Sequence, residues 1–151
     1  MIASSQQTSE LMVFDISDPA NIAVVDSFNT GGMAPWHPKY NTAGDKIYVG
    51  NNGSHQIAVM DANSGNVQAT IGVGDGSDGL AQPHGLVVSP SDNFVYVSNR
   101  NVAELYTPVY QFEGGANSNH GTVAVINTAT NTLEKVIEIG PFPSGIAIYE
   151  E

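Results

Sequence analysis

The feature that most constrains this chain is a unit recurring about every 46 to 66 residues, cut out of phase so that the last strand belongs with the first. Residues 47–61, IYVGNNGSHQIAVMD, align without a gap on residues 1–15, MIASSQQTSELMVFD. VYVSN at 95–99 and TVAVIN at 122–127 match the two halves of that unit across an insertion. Asp15, Asp61 and Asn127 share one register, and each leads into a polar turn, SDPAN, ANSGN or TATNT. An alternating strand follows, IAVVDSF, VQATI or LEKVIEI, as a hairpin requires. A Gly-rich link then leads to a short run holding Trp36-His37-Pro38, Pro83-His84-Gly85 or Pro143-Ser144-Gly145. The fuller copies of that run continue as an apolar strand heading toward a turn.

Four short strands per period predict an all-β chain built of four-stranded antiparallel propeller blades. With strands lettered A to D from the central axis outward, the chain reads B-C-D, A-B-C-D, A-B-C-D, A. The expected boundaries are residues 1–34 for the first blade, 35–82 for the second, 83–142 for the third, and 143–151 for a closing A strand. Three blades fall short of the about four to eight of ordinary propellers, and an unpaired sheet edge invites association. Residues 143–149 are therefore expected to pair with residues 1–28 of another chain, giving a two-fold homodimer with six blades. The alternative is that the chain is a piece of a longer propeller.

Composition fits this architecture and narrows the partners. A length of 151 residues suits one domain, and 16 Gly with 8 Pro suit many strands joined by turns. With no cysteine there are neither disulfides nor thiolate metal sites. A formal charge of −11 argues against a nucleic-acid or anionic-membrane surface, both of which need basic patches. It suits a cationic or metal partner, and equally a surface kept soluble by charge. No apolar run approaches the roughly 20 residues of a membrane span. No charged-then-apolar leader precedes the first strand, although Met1 itself falls inside a strand pattern.

Tyr48-Val49-Gly50-Asn51 and Tyr96-Val97-Ser98-Asn99, with strands such as GTVAVINTATNTLEKVIEIG and then P-x-G, resemble the YVTN β-propeller repeat. The resemblance covers nearly the whole chain and is strongest over residues 83–148; the first blade departs from it, with Ile2-Ala3-Ser4-Ser5 at the motif position. It implies the propeller fold and an extracellular or periplasmic setting. Such repeats occur in archaeal surface-layer proteins, in bacterial exported proteins, and in relatives of nitrous-oxide reductase and lactonase propellers. Function does not follow from the fold.

The repeat places D-to-A links and B-to-C loops on one face of the blades, and all four histidines fall there. His37 and His84 begin A strands beside the central channel, whereas His55 and His120 end B-to-C loops, two strand spacings or about 10 Å farther out. Neutral imidazole is a common metal ligand. In a six-bladed dimer His37 and His84 of both chains would surround one axis, with Asp75 or Asp78 as oxygen donors for copper, zinc or another divalent ion. The resemblance makes copper a specific candidate, because relatives seat a copper cluster in a histidine ring at the propeller mouth. Against this, a histidine in P-H-G can simply hydrogen-bond within its strand, and the third copy has Ser144 there. The GDGSDG link invites calcium through its clustered carboxylates, or is a link that needs glycine for its turns. It lacks EF-hand spacing, and no helix follows it to make a nucleotide-binding loop.

The largest irregularity is the insertion at residues 100–120, RNVAELYTPVYQFEGGANSNH. Loops on a rigid scaffold carry function, and this one offers Arg100, Glu104, Tyr106, Tyr110, Phe112 and Glu113. With Trp36 beside the channel, Arg100, Glu104, Tyr106 and Tyr110 are the candidate ligand- or partner-binding residues. The loop forms either a lid over the channel mouth or a self-packed or subunit contact. No catalytic residue is assigned: there is no G-x-S-x-G turn and no thiolate. Asn51, Asn99 and Asn101 end B strands on the histidine face, where a lactonase would need Asn, but the same residues can tie down their loops. Three readings stay open: a non-catalytic binding scaffold, a histidine-ringed metal protein, and a metal-dependent lactonase-like hydrolase.

Overall fold

The structure is a computed structural model and describes residues 1–110 and 119–149. The chain is a β-propeller segment of three antiparallel sheets. The first holds β1 (Ile2–Ser5), β2 (Glu10–Asp15) and β3 (Ala23–Asn29), and lacks an inner strand. The second holds β4 (Pro35–Tyr40), β5 (Lys46–Asn51), β6 (Gln56–Asp61) and β7 (Val67–Ile71) in that spatial order. The third holds β8 (Pro83–Val88), β9 (Phe94–Asn99), β10 (His120–Asn127) and β11 (Thr132–Pro141). His120, expected to end the long loop, instead opens β10 and pairs with Pro141, because β10 begins earlier than its apolar run suggests.

Turn chemistry explains why the three C-to-D hairpins share a register. The carboxylate of Asp15 accepts from Ser17 N at 2.8 Å, and that of Asp61 from Asn63 N at 3.1 Å and Ser64 N at 2.8 Å. Asn127 Oδ1 accepts from Ala129 N at 3.0 Å. Each side chain thus caps its own turn, which is what makes Asp and Asn recur there.

Alternation along the strands splits the core in two. Ile47, Val49, Ala58 and Met60 of the second blade pack with Leu11, Ile2 and Phe28 of the first. The intervening Tyr48, Ile57 and Val59 point the other way, onto Leu86, Val95, Val97, Ala124 and Ile126 of the third. A middle blade buried on both faces is the arrangement a propeller demands. Truncating Ile57, which has no exposed surface, to Ala would cost about 2–5 kcal/mol.

Hydrogen bonds also stitch the blades at both faces. On the turn face, Asp92 takes the left-handed backbone, φ 57°, that Gly44 takes in the equivalent turn. Its carboxylate accepts from Thr42 N at 2.7 Å and Ala43 N at 3.1 Å across the blade boundary. On the opposite face, Asn52 N and Gly53 N donate to Ala34 O and Met33 O, and Arg100 N and Asn101 N donate to Gln82 O and Ala81 O. Links and B-to-C loops therefore share a face, and the site is built there.

Candidate functional site

In β4, Pro35 lies opposite Asn51 and Trp36 opposite Gly50, and the register then jumps to Lys39 opposite Tyr48. In β8 it passes from Pro83 opposite Asn99 to Gly85 opposite Ser98. Each A strand thus carries one extra residue, a bulge of the kind that re-aims side chains beside a site. The B-strand partners make Pro35 equivalent to Pro83, and Trp36, opposite Gly50, equivalent to Gly85, opposite Ser98, while His37 and His84 both fall within the register shifts. His37 and His84 therefore both sit at the irregular entry of their A strand. The entries to the two A strands, Trp36-His37 and His84, are counterparts at the blade boundary.

Those counterparts touch. The Trp36 and His84 ring centroids are 4.2 Å apart, and His37 lies 5.0 Å from His84. His84 Nδ1 bonds the carbonyl oxygen of Ser144 at 2.8 Å; a carbonyl only accepts, so Nδ1 carries the proton. His84 is 6% exposed, and its Nε2 is buried without a hydrogen-bond partner. Burial lowers its pKa, the Ser144 bond opposes this, and Arg100 and His37 lower it again, which favours the neutral ring. In that tautomer Nε2 is an acceptor. The Arg100 guanidinium carbon stands 5.7 Å from the centre of the Trp36 ring, a cation–π distance. Arg100 Nε is also buried and without a partner.

The structure brings together Trp36, His37, His84 and Arg100, and separates the other predicted residues from them. His55 Nδ1 accepts from Gln82 N at 3.2 Å in the second blade's loop. Burial lowers the His55 pKa, partly offset by Asp75 and Asp78. Among the described residues no three His, Asp or Glu side chains form a group able to hold a metal ion. The GDGSDG carboxylates serve their own link: Asp75 accepts from Ser77 N and Oγ at 2.9 and 2.6 Å, and Asp78 from Val73 N and Leu80 N at 2.9 and 3.1 Å. Asn101 ties the long loop, donating from Nδ2 to Tyr106 O at 2.8 Å and to His120 O at 2.9 Å.

That loop turns outward rather than over the channel along its described stretch. Glu138 of β11 accepts from Tyr106 Oη at 2.8 Å, Val109 N at 2.6 Å and Tyr110 N at 2.7 Å. Glu104 sits in the turn before this anchor, its N donating to Asn101 O. Phe112 and Glu113 lie outside the described residues. Sequence reasoning missed Glu138 and Gln82. Gln82 accepts from Ala103 N and holds His55, and neither residue carries a motif that would reveal it.

The fold and this channel-mouth cluster define a β-propeller segment with its polar and aromatic side chains gathered on the loop face. No family model matches the chain, and no curated protein is similar to it in sequence. Solved structures are similar in fold. Hydrazine synthase of Kuenenia stuttgartiensis matches with a TM-score of 0.54 and 22% identity, over 74% of this chain and 25% of that one. A protein of unknown function from Desulfotomaculum acetoxidans matches at 0.60 and 18%, over 92% of this chain and 38% of that one. Another, from Bacteroides caccae, matches at 0.56 and 13%, over 91% and 48%. The chain thus spans less than half the length of these structures.

Proposed function

We propose that this chain is a non-catalytic β-propeller binding scaffold of the YVTN type, whose loop face takes a ligand or partner. The observation that carries the reading is the channel-mouth cluster: Trp36 offers an aromatic face, while His84 Nε2 and Arg100 Nε are buried polar atoms without partners. Buried polar groups are nearly always satisfied, so two orphans beside one indole favour a ligand. Self-association belongs to the same proposal. A cavity of about 390 Å³ lies between Ala3, Ser4 and Gln6 on one side and Pro35, Trp36 and His37 on the other, where the first blade lacks its A strand. Residues 143–149 run beside β8 without joining a described sheet, and are the strand to fill that cavity in a second copy.

A second reading, a copper or zinc protein, draws on one specific observation. His84 has its Nδ1 proton held by a backbone carbonyl, which is how ligating histidines are oriented. His37 lies near enough to share an ion with it, and two chains would supply four imidazoles. Such an ion would also be needed for lactonase-like hydrolysis. Elemental analysis of protein purified without a histidine tag, with a lactone panel run with and without chelator, separates the readings. The scaffold is expected to show neither stoichiometric metal nor turnover. Metal that is lost from a His37→Ala, His84→Ala variant would establish the second reading instead.

A further inference from the structure

We propose that Trp36, His84 and Arg100 form a subsite for a small carboxylate carrying an adjacent hydroxyl, a deepening that rests on the binding-scaffold reading above. The chain has 4 Lys plus Arg against 15 Asp plus Glu, so a cation with no carboxylate beside it is unusual here. Arg100 is such a cation: among the described residues it has no ion pair, and its Nε has no hydrogen-bond partner. Its fixed contact is the indole of Trp36, which orients the planar guanidinium and leaves its donors for a ligand. A guanidinium presents paired N–H groups that match a carboxylate, and stacking on an aromatic ring reduces the entropy lost when it binds.

His84 supplies the second half of the specificity. Its Nδ1–H is committed to Ser144 O, so the neutral ring can only accept at Nε2. The ring lies against the same indole, and Nε2 has nothing to accept from. A bare carboxylate would satisfy Arg100 and leave Nε2 unpaired; a hydroxyl next to the carboxylate satisfies both. Arg100 also weighs against a metal ion at this point, because its positive charge would repel a divalent cation beside the His84 imidazole. The carboxylate reading uses the same charge favourably. It explains why an otherwise acidic protein keeps an arginine apart from carboxylates at its channel mouth.

Trp36 is the single tryptophan, so its fluorescence reports on the subsite directly. Titration with sodium glycolate, sodium acetate and sodium chloride at matched ionic strength is expected to give a saturable change with glycolate. Acetate should bind about tenfold more weakly, the equivalent of one lost hydrogen bond to a buried group, and chloride should give no saturation. Arg100→Gln should weaken glycolate by about tenfold or more. His84→Phe, which keeps a ring against Trp36, should make glycolate and acetate equal. Circular dichroism establishes that each variant is folded, and Arg100→Lys, which keeps the charge but loses the fork, replaces Arg100→Gln if that variant is not. No saturation with glycolate, equal glycolate and acetate affinities in the parent protein, or an Arg100 variant binding as the parent does would each overturn the subsite. Stoichiometric metal or chelator-sensitive lactone turnover in the same preparation would overturn the scaffold reading instead, so the two failures are distinct.

Discussion

Burial lowers the pKa of His84, the Ser144 carbonyl partly restores it, and Arg100 and His37 lower it again; at His55 burial lowers it and Asp75 with Asp78 partly offset the change. Both rings thus bind protons less readily in the folded protein than at the ordinary histidine value of about 6.5. As pH falls through that value the unfolded chain takes up protons first, so unfolding becomes easier. Stability should be level above about pH 7 and decline as pH drops from there toward the lowered folded values. The carboxylates of Asp61 and Asp92, held below their ordinary range by backbone donors despite some burial, lose their contribution only at lower pH. The two windows are therefore separable. Thermal unfolding followed by circular dichroism should show the upper decline, and a His55→Gln, His84→Gln variant should flatten it. An unchanged slope in that variant would mean that these rings titrate normally.

At the scale of elements, the long insertion shows what one carboxylate can organise. Glu138 on β11 receives one phenol and two backbone N–H groups from residues 106–110, and its own carboxylate is held below the usual range by them, outweighing the cost of burial. Burial and that carboxylate push the Tyr106 phenol up to about 12. Glu138→Ala should release the stretch, costing only about 1–2 kcal/mol of global stability because the bonds are near solvent. Hydrogen exchange should quicken at Val109 and Tyr110 while the core of β5, β6 and β9 stays protected; unchanged exchange at those two amides would show that the loop is held by something else. This anchor was not legible in the sequence, since a glutamate on an alternating strand looks solvent-facing until the loop some 28–32 residues away arrives on it. The strands were legible, because apolar alternation and the Asx turns at Asp15, Asp61 and Asn127 are local. The contact of Trp36 with His84 was not: the register shift at each A-strand entry is a property of two strands, and a single strand does not display it. The clustering of Trp36, His37 and His84 was foreseeable from the link positions, but the approach of Arg100 needed the folded loop.

At the scale of the whole molecule, the middle blade is covered on both faces and each outer blade on one. Strand alternation puts Val87, Tyr96, Val123 and Val125 on the uncovered face of the third blade, opposite the buried Leu86, Val97 and Ala124. On the first blade it puts Met12, Phe14 and Val24 away from Leu11, and Val24 is 51% exposed. Two such faces, with a cavity beside β1 and residues 143–149 outside the described sheets, are what the proposed two-fold dimer would cover. A further set of blades in a longer chain would meet the same faces in the same way. For the chain as it stands, sedimentation is expected to give a dimer. Phe14→Lys or Val125→Lys should shift it to monomer, because a charge would have to be buried against the partner blade at a cost of several kcal/mol. Neither residue belongs to the two core clusters, so the monomeric variants should keep the parent's circular dichroism spectrum. Deleting residues 143–149 should have the same effect on mass by removing the strand itself. A parent protein that stays monomeric at high concentration, or a Val125→Lys variant that still dimerises, would show that these faces do not close the ring between copies.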